Sequence, residues 1–311
     1  MVQLANGRAQ ISLQLTARKA VVSVASEGFT TQFLNVTNAN WTRPVVKKNS
    51  NGDKKKSAAK NSTTLKVDVA VIDRERILKM ADAALTVAPM TITTFHAAHS
   101  DGGPHDYYSN ADYWWPDPSK PDGLPYIQHD GESNPNNFNQ HRIAMREMHD
   151  AVAALGAACK ITGDERYAQK AAELLRVFFL EEATRMNPNL QHAQAIPGRD
   201  NGRGFGIIDG LHLIEIPQAI VAMEKSPAFT PELVAGLKKW FGDLAEWMVT
   251  SKNGKEEATT KNNHAVAFWL QVACFSKFTG DETKLAECRR QFKEVFVPTT
   301  LRKFCFIAGE F

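Results

Sequence analysis

Cysteine is scarce in this chain. The four residues, Cys159, Cys274, Cys288 and Cys305, show no CxxC spacing. The spacing excludes a zinc ribbon or a disulfide framework, and three of the four fall in stretches of helical periodicity, where a free thiol packs as a small apolar group. A charge excess is also missing: 37 Lys and Arg stand against 34 Asp and Glu, for a formal net charge of +3. That is too little to argue for nucleic acid, yet it does not repel a polyanion. No uninterrupted apolar run approaches a bilayer span, and the N-terminal region has no basic start followed by an apolar stretch and a cleavage site. Neither a membrane nor a nucleic acid is therefore expected as a partner, and no export signal is visible. Tyrosine is sparse too, with five in all and none after Tyr167.

What is present divides at about residue 66. Residues 1–66 read as an irregular N-terminal arm. It has a few alternating stretches at 11–15 and 21–24, then a Lys/Asn/Ser-rich linker at 47–60 and glycosylation-type triplets at Asn35, Asn40 and Asn61. Residues 67–311 read as one helical domain. It opens with Asp73 as a helix cap before Ile77, Met80, Ala84 and Val87. Apolar residues then recur at steps of three and four: Met145, Met148, Val152, Leu155 and Cys159; Tyr167, Ala171, Leu174 and Phe178; Leu233, Leu237, Trp240, Leu244 and Trp247. Further on come Phe268, Val272 and Phe275, then Leu285, Cys288, Phe292 and Val295. Two turns are near-copies, Lys160-Ile161-Thr162-Gly163-Asp164-Glu165 and Lys277-Phe278-Thr279-Gly280-Asp281-Glu282. In each, Gly supplies a left-handed helix end and Asp caps the next helix. Repeated helical hairpins of this kind build an α/α toroid or a solenoid. The apolar segment 207–223, which Pro217 would kink or restart, favours the closed toroid as a buried inner helix.

Three stretches carry candidate chemistry. The long segment 93–137 contains Tyr107, Tyr108, Trp114 and Trp115, whose ring faces suit stacking on sugars or pinning the loop to the body. The segment 191–204 gathers His192, Gln194, Arg199 and Arg203 among glycines, and its arginines suit bidentate pairing with carboxylates. Lys261-Asn262-Asn263-His264 opens an apolar helix, where an Asn is also a natural N-cap. His96, His99 and His105 have no matching carboxylate or cysteine cluster, so no metal site is expected, and nothing calls for a cofactor.

Taken in order, Tyr113-Trp114-Trp115-Pro116-Asp117-Pro118, the run Gln194-Ala195-Ile196-Pro197-Gly198-Arg199 leading into Gly206-Ile207-Ile208-Asp209, and Asn262-Asn263-His264 resemble the alginate lyase domain family of polysaccharide lyases. The resemblance spans about residues 71–297. It implies an all-α fold, an (α/α) toroid, that breaks a uronate-containing polysaccharide (alginate, polymannuronate or glucuronan) by β-elimination. In that scheme Asn263 neutralises the substrate carboxylate and His264 is the base or assists it. Asn262, His192, Gln194, Arg199, Arg203, Tyr107, Tyr108, Trp114 and Trp115 would bind substrate. The resemblance also implies an extracellular or periplasmic setting.

The family's pattern continues with helices bearing an Arg and a catalytic Tyr, whereas here residues 292–298 pass into Leu301-Arg302-Lys303-Phe304-Cys305-Phe306. The expectation is a C-terminally shortened toroid without that pair, unless Tyr107 or Tyr108 substitutes. Such a toroid would expose inner apolar surface through which copies self-associate. Two other readings stay open: a non-catalytic carbohydrate-binding remnant, and a glycoside hydrolase using Asp209 with Glu215 or Asp106.

Overall fold

The computed structural model describes residues 69–298 together with the backbone of four short strands nearer the N-terminus. The 47–60 run, the triplets at Asn40 and Asn61, and Cys305 lie outside the described residues. Chain contacts separate two units, Met1–Lys66 and Val67–Phe311. In the first, β1 (Val2–Ala5) pairs antiparallel with β2 (Arg8–Ile11), and β3 (Lys19–Val24) with β4 (Gln32–Thr37). The second of these pairs contains the alternating stretch at 21–24.

The second unit opens with α1 (Val69–Ile72) and α2 (Arg74–Ala84). The buried face of α2 is Ile77, Ala81 and Ala84, while Met80 is exposed and the helix ends before Val87. Asp73 precedes α2 but makes no cap bond, because its carboxylate is taken by the Arg76 guanidinium.

A segment with little regular structure follows. It holds β5 (Tyr108–Asn110), β6 (Trp114–Trp115) and β7 (Ile127–Gln128), the last two forming a small antiparallel pair. Then come α3 (Gln140–Thr162) and α4 (Glu165–Phe179), joined by Gly163 at φ +71 and capped by Asp164, which accepts the Arg166 N–H. This is the hairpin that the sequence repeat implied. A second is α8 (Asn263–Thr279) with α9 (Glu282–Gln291), which turns on Gly280 at φ +80 with Asp281 accepting the Lys284 N–H. A left-handed glycine ends the first helix at no steric cost, and the aspartate satisfies an amide that the next helix leaves open.

Between the hairpins lie β8 (His192–Ala195), a 3₁₀ segment Gly204–Leu213, α5 (Ile216–Met223), α6 (Pro231–Thr250) and α7 (Lys252–Ala258). The apolar segment 207–223 is two pieces, and Pro217 sits in the first turn of the second, where its missing N–H costs nothing. By length and composition alone Gly204–Met223 passes for a bilayer span, although Asp209, His212 and Glu215 interrupt its apolar run. Within it, however, a buried aspartate and a change of helix type mark a core element.

One large apolar core runs through the second unit, with a smaller cluster of Ala97, Tyr108 and Ala195 apart from it. Phe179, Trp240, Phe241, Phe275 and Phe278 form one aromatic stack, with ring centroids 4.4 to 5.8 Å apart along its contacts. Each such side chain contributes about 1.5–3 kcal/mol when fully buried. The Trp240 indole N–H donates to the Met186 carbonyl at 2.7 Å, which joins α6 to the loop after α4. Helices α3 and α5 approach closely because Gly156 faces Ala219, where an added Cβ would lie 2.8 Å from the Ala219 Cβ. The α9 stripe holds at Leu285 and Cys288, but Phe292 and Val295 beyond it are exposed.

Candidate active site

Parallel pairing of β5 with β8 sets Tyr108 opposite His192 and Asn110 opposite Ala195, which draws the aromatic loop and the Gln/Arg loop together. Beneath this pair lies a buried polar node that sequence reasoning missed. Asp209 Oδ2 accepts from the Tyr107 hydroxyl at 3.0 Å, the Ser109 hydroxyl at 2.7 Å and the Arg142 guanidinium at 3.4 Å, and its Oδ1 accepts from the Gln194 amide at 3.4 Å. Arg142 also pairs with Asp112 at 2.8 Å. Burial alone would lower the Arg142 pKa, but the Asp209 carboxylate and its other anionic neighbours outweigh that and raise it. The Ser109 hydroxyl accepts the Gln194 N–H at 2.8 Å, which holds Gln194 at φ +49. The left-handed region is unusual for a residue with a side chain, and the node supplies the bonds that keep it there.

This arrangement runs against one expectation, that the Tyr107 and Tyr108 rings stack on substrate sugars. Tyr107 is 0% exposed and Tyr108 1%, so neither ring presents a face to a sugar. Burial, reinforced by the Asp209 charge, pushes the Tyr107 pKa well above its usual value. Burial raises Tyr108 to about 12, and its hydroxyl accepts from the Asn110 amide. Both are structural tyrosines.

The remaining candidates are joined by pairwise contacts, Arg199 with Trp114 and Arg203 with Gln194 and Phe205. Trp114 and Trp115 are half-buried on β6; the Trp115 N–H donates to the Glu132 carbonyl, and the Arg199 guanidinium lies over the Trp114 ring, 4.9 Å from its centroid. Arg199 is exposed, with Asp200 at 3.7 Å. His192 accepts or donates at Nδ1 with the Asn201 carbonyl at 3.0 Å. Arg203 is held differently. Its Nε donates to the Gln194 carbonyl at 2.9 Å, it covers the Phe205 ring at 5.5 Å, and burial lowers its pKa. The 191–204 loop closes through Gly202 at φ +143, where an added Cβ would overlap the Gln191 carbonyl oxygen.

The Phe205 ring in turn meets the His264 ring edge-on at 4.9 Å. Asn262 caps α8, its Oδ1 accepting the His264 N–H at 2.9 Å, so that oxygen serves the helix end rather than a ligand. Asn263 is exposed, and its side chain makes no hydrogen bond among the described residues. His264 Nδ1 lies 2.6 Å from Glu257 Oε1. Burial raises the Glu257 pKa against the opposing pull of His264 and Arg203. Neither Glu257 nor Phe205 was singled out from the sequence, because each meets His264 only through the corner between α7 and α8 or across to the 3₁₀ segment.

The hydrolase pair finds no support in this geometry. Asp209 is committed to the node, while Glu215 faces His149 at 3.3 Å. Asp106 accepts from the Gly103 N–H and the Asn187 amide. Among the described residues no group of three His, Cys, Asp or Glu is placed to hold a metal ion.

A model of the alginate lyase family matches residues 91–303. The chain belongs to the alginate lyase family. A crystal structure of an alginate lyase from Bacteroides ovatus is similar at 43% identity and a TM-score of 0.67, covering 71% of this chain and 58% of its own. The chain therefore spans well under two thirds of that protein's length. A search of curated proteins found no match. The helical-hairpin body is accordingly an (α/α) toroid of the alginate lyase type.

Proposed function

We propose that the chain cleaves an acidic, uronate-containing polysaccharide by β-elimination. The reading extends to alginate, polymannuronate or glucuronan as substrate. The observation that carries it is the exposed Asn263 amide beside His264 at the N-terminal end of the 17-residue helix α8, in a chain of the alginate lyase family. That helix end favours an anion, because its unpaired N–H groups and macrodipole present partial positive charge.

A uronate loses its C5 proton reluctantly because the adjoining carboxylate is already negative, and removing the proton spreads more charge onto it. Asn263 donates to that carboxylate and stabilises the charge as it grows. His264 takes the C5 proton. The C5–H electron pair becomes the C4=C5 double bond, the C4–O bond breaks, and the departing glycosidic oxygen takes a proton from solvent water. Arg199 on Trp114, together with Arg203, supplies cations and a ring face to flanking sugars, and His192 adds a polar ring edge.

Burial of Tyr107 and Tyr108 supports a second reading, a carbohydrate-binding protein without turnover. Mass analysis of oligosaccharides formed from polymannuronate separates the two. Lyase products carry one unsaturated end and take up no water, hydrolytic products gain a water, and a binding protein leaves the polymer length unchanged.

A further inference from the structure

We propose that Glu257 is a positioning residue that holds His264 in the tautomer with Nδ1 protonated and Nε2 bare, making Nε2 the atom that receives the substrate proton. This rests on the lyase reading in its last step and on geometry alone in its first.

Glu257 lies on α7 and His264 at the start of α8, and the turn between the two helices brings Oε1 to 2.6 Å from Nδ1. The Glu257 side chain is 1% exposed and that of His264 18%, so the carboxylate is inside and the imidazole keeps an open edge. A carboxylate only accepts, so the shared proton sits on Nδ1 and the second ring nitrogen is left with its lone pair. Phe205 packs edge-on against the ring at 4.9 Å, and the Asn262 cap on the His264 backbone N–H fixes the helix end from which the ring projects.

The other oxygen of Glu257 supports the assignment. Oε2 is buried with no hydrogen-bond partner among the described residues. A residue serving packing alone would be better placed there as an apolar side chain, since a half-satisfied buried carboxylate is costly. The cost is intelligible if Oε1 orients a base, the role a third group plays in nucleophile–base–orienter arrangements generally.

The test uses the full chain labelled with ¹⁵N-histidine, the His264 signals being assigned by their loss in His264→Gln. Long-range ¹⁵N–¹H NMR is expected to show protonated Nδ1 and bare Nε2 in the wild type. In Glu257→Leu the pattern moves toward protonated Nε2; Glu257→Gln, whose amide oxygen still accepts, keeps most of the wild-type pattern. On polymannuronate, Glu257→Leu is expected to lose kcat by about 100-fold or more with KM little changed, since a wrong tautomer disables the base rather than binding. Glu257→Gln falls between. Protonated Nε2 in the wild type, or a Glu257→Leu protein with an unchanged pattern or with full kcat, would overturn the proposal. If the wild type forms no unsaturated product, the lyase reading fails while the NMR arm still decides whether Glu257 sets the tautomer.

Discussion

Replacing Asp209 by Ala is expected to cost the fold far more than an ordinary surface change. The substitution removes two good hydrogen bonds to a charged acceptor, from Tyr107 at 3.0 Å and Ser109 at 2.7 Å, and leaves both hydroxyls buried without that partner. Arg142 also loses one of its two carboxylates but keeps Asp112 at 2.8 Å, which limits the damage to less than a fully orphaned charge. A bond to a charged group is worth about 1.5–3 kcal/mol, and breaking a buried pair costs about 3–5 kcal/mol. Because these overlap in one network, the sum is taken as about 3–5 kcal/mol rather than their total. For a body of this size that corresponds to a fall in Tm of roughly 6–20 °C. Far-ultraviolet circular dichroism during heating measures it, with Tyr107→Phe, expected to lose about 1–2 kcal/mol, as the single-bond control. A drop of less than about 2 °C in Asp209→Ala would mean that the node does not hold the two loops together.

The remaining expectations concern acid, the Gln/Arg loop and a helix cap. His141 accepts the Tyr108 N–H at Nδ1 and donates from Nε2 to the Phe95 carbonyl; burial lowers its pKa from the usual 6.5. The unfolded chain therefore binds this proton before the folded one does, and stability present above about pH 6.5 falls as the pH drops through that window toward the folded pKa. Urea titrations at a series of pH values should show the loss, reduced in His141→Gln; an equal slope in both would remove His141 as its cause. Gly202→Ala must displace the Gln191 backbone, so it should disturb the position of His192 and weaken polyuronate binding in a titration, whereas unchanged affinity would show that the loop tolerates the shift. Asn262→Ala removes the α8 cap and is expected to cost about 1 kcal/mol of stability, read from urea midpoints. A cost near zero would mean that the Asn262 oxygen does not support the helix end.

Much of the fold was legible because helical hairpins are written in local patterns. The apolar residues of α3 and α4 fall at steps of three and four, and Gly163-Asp164 and Gly280-Asp281 each encode a stop followed by a start. The motifs at 113–118, 194–199 and 262–264 marked the candidate site for the same reason: each is a short string. What escaped was whatever depends on partners distant in the chain. Tyr107 and Trp114 are similar as aromatic loop residues, yet Tyr107 is drawn inside by Asp209, 102 positions away, while Trp114 stays near the surface under Arg199. Glu257 was invisible as a partner because a carboxylate in a short polar helix usually faces water, and only the tight turn into α8 carries it beneath His264. Met80 and Phe292 show the converse. Each fits an apolar period, but neighbouring elements do not cover it.

Ultraviolet absorbance of the conjugated C4=C5 bond, followed while the purified chain is incubated with polymannuronate, alginate and glucuronan, tests the central claim most directly. The account predicts a steady rise on at least one of these polymers, abolished in His264→Ala and strongly reduced in Asn263→Ala, both variants keeping the wild-type circular dichroism. No rise from the folded wild type, or a rise that persists undiminished in His264→Ala, would contradict it.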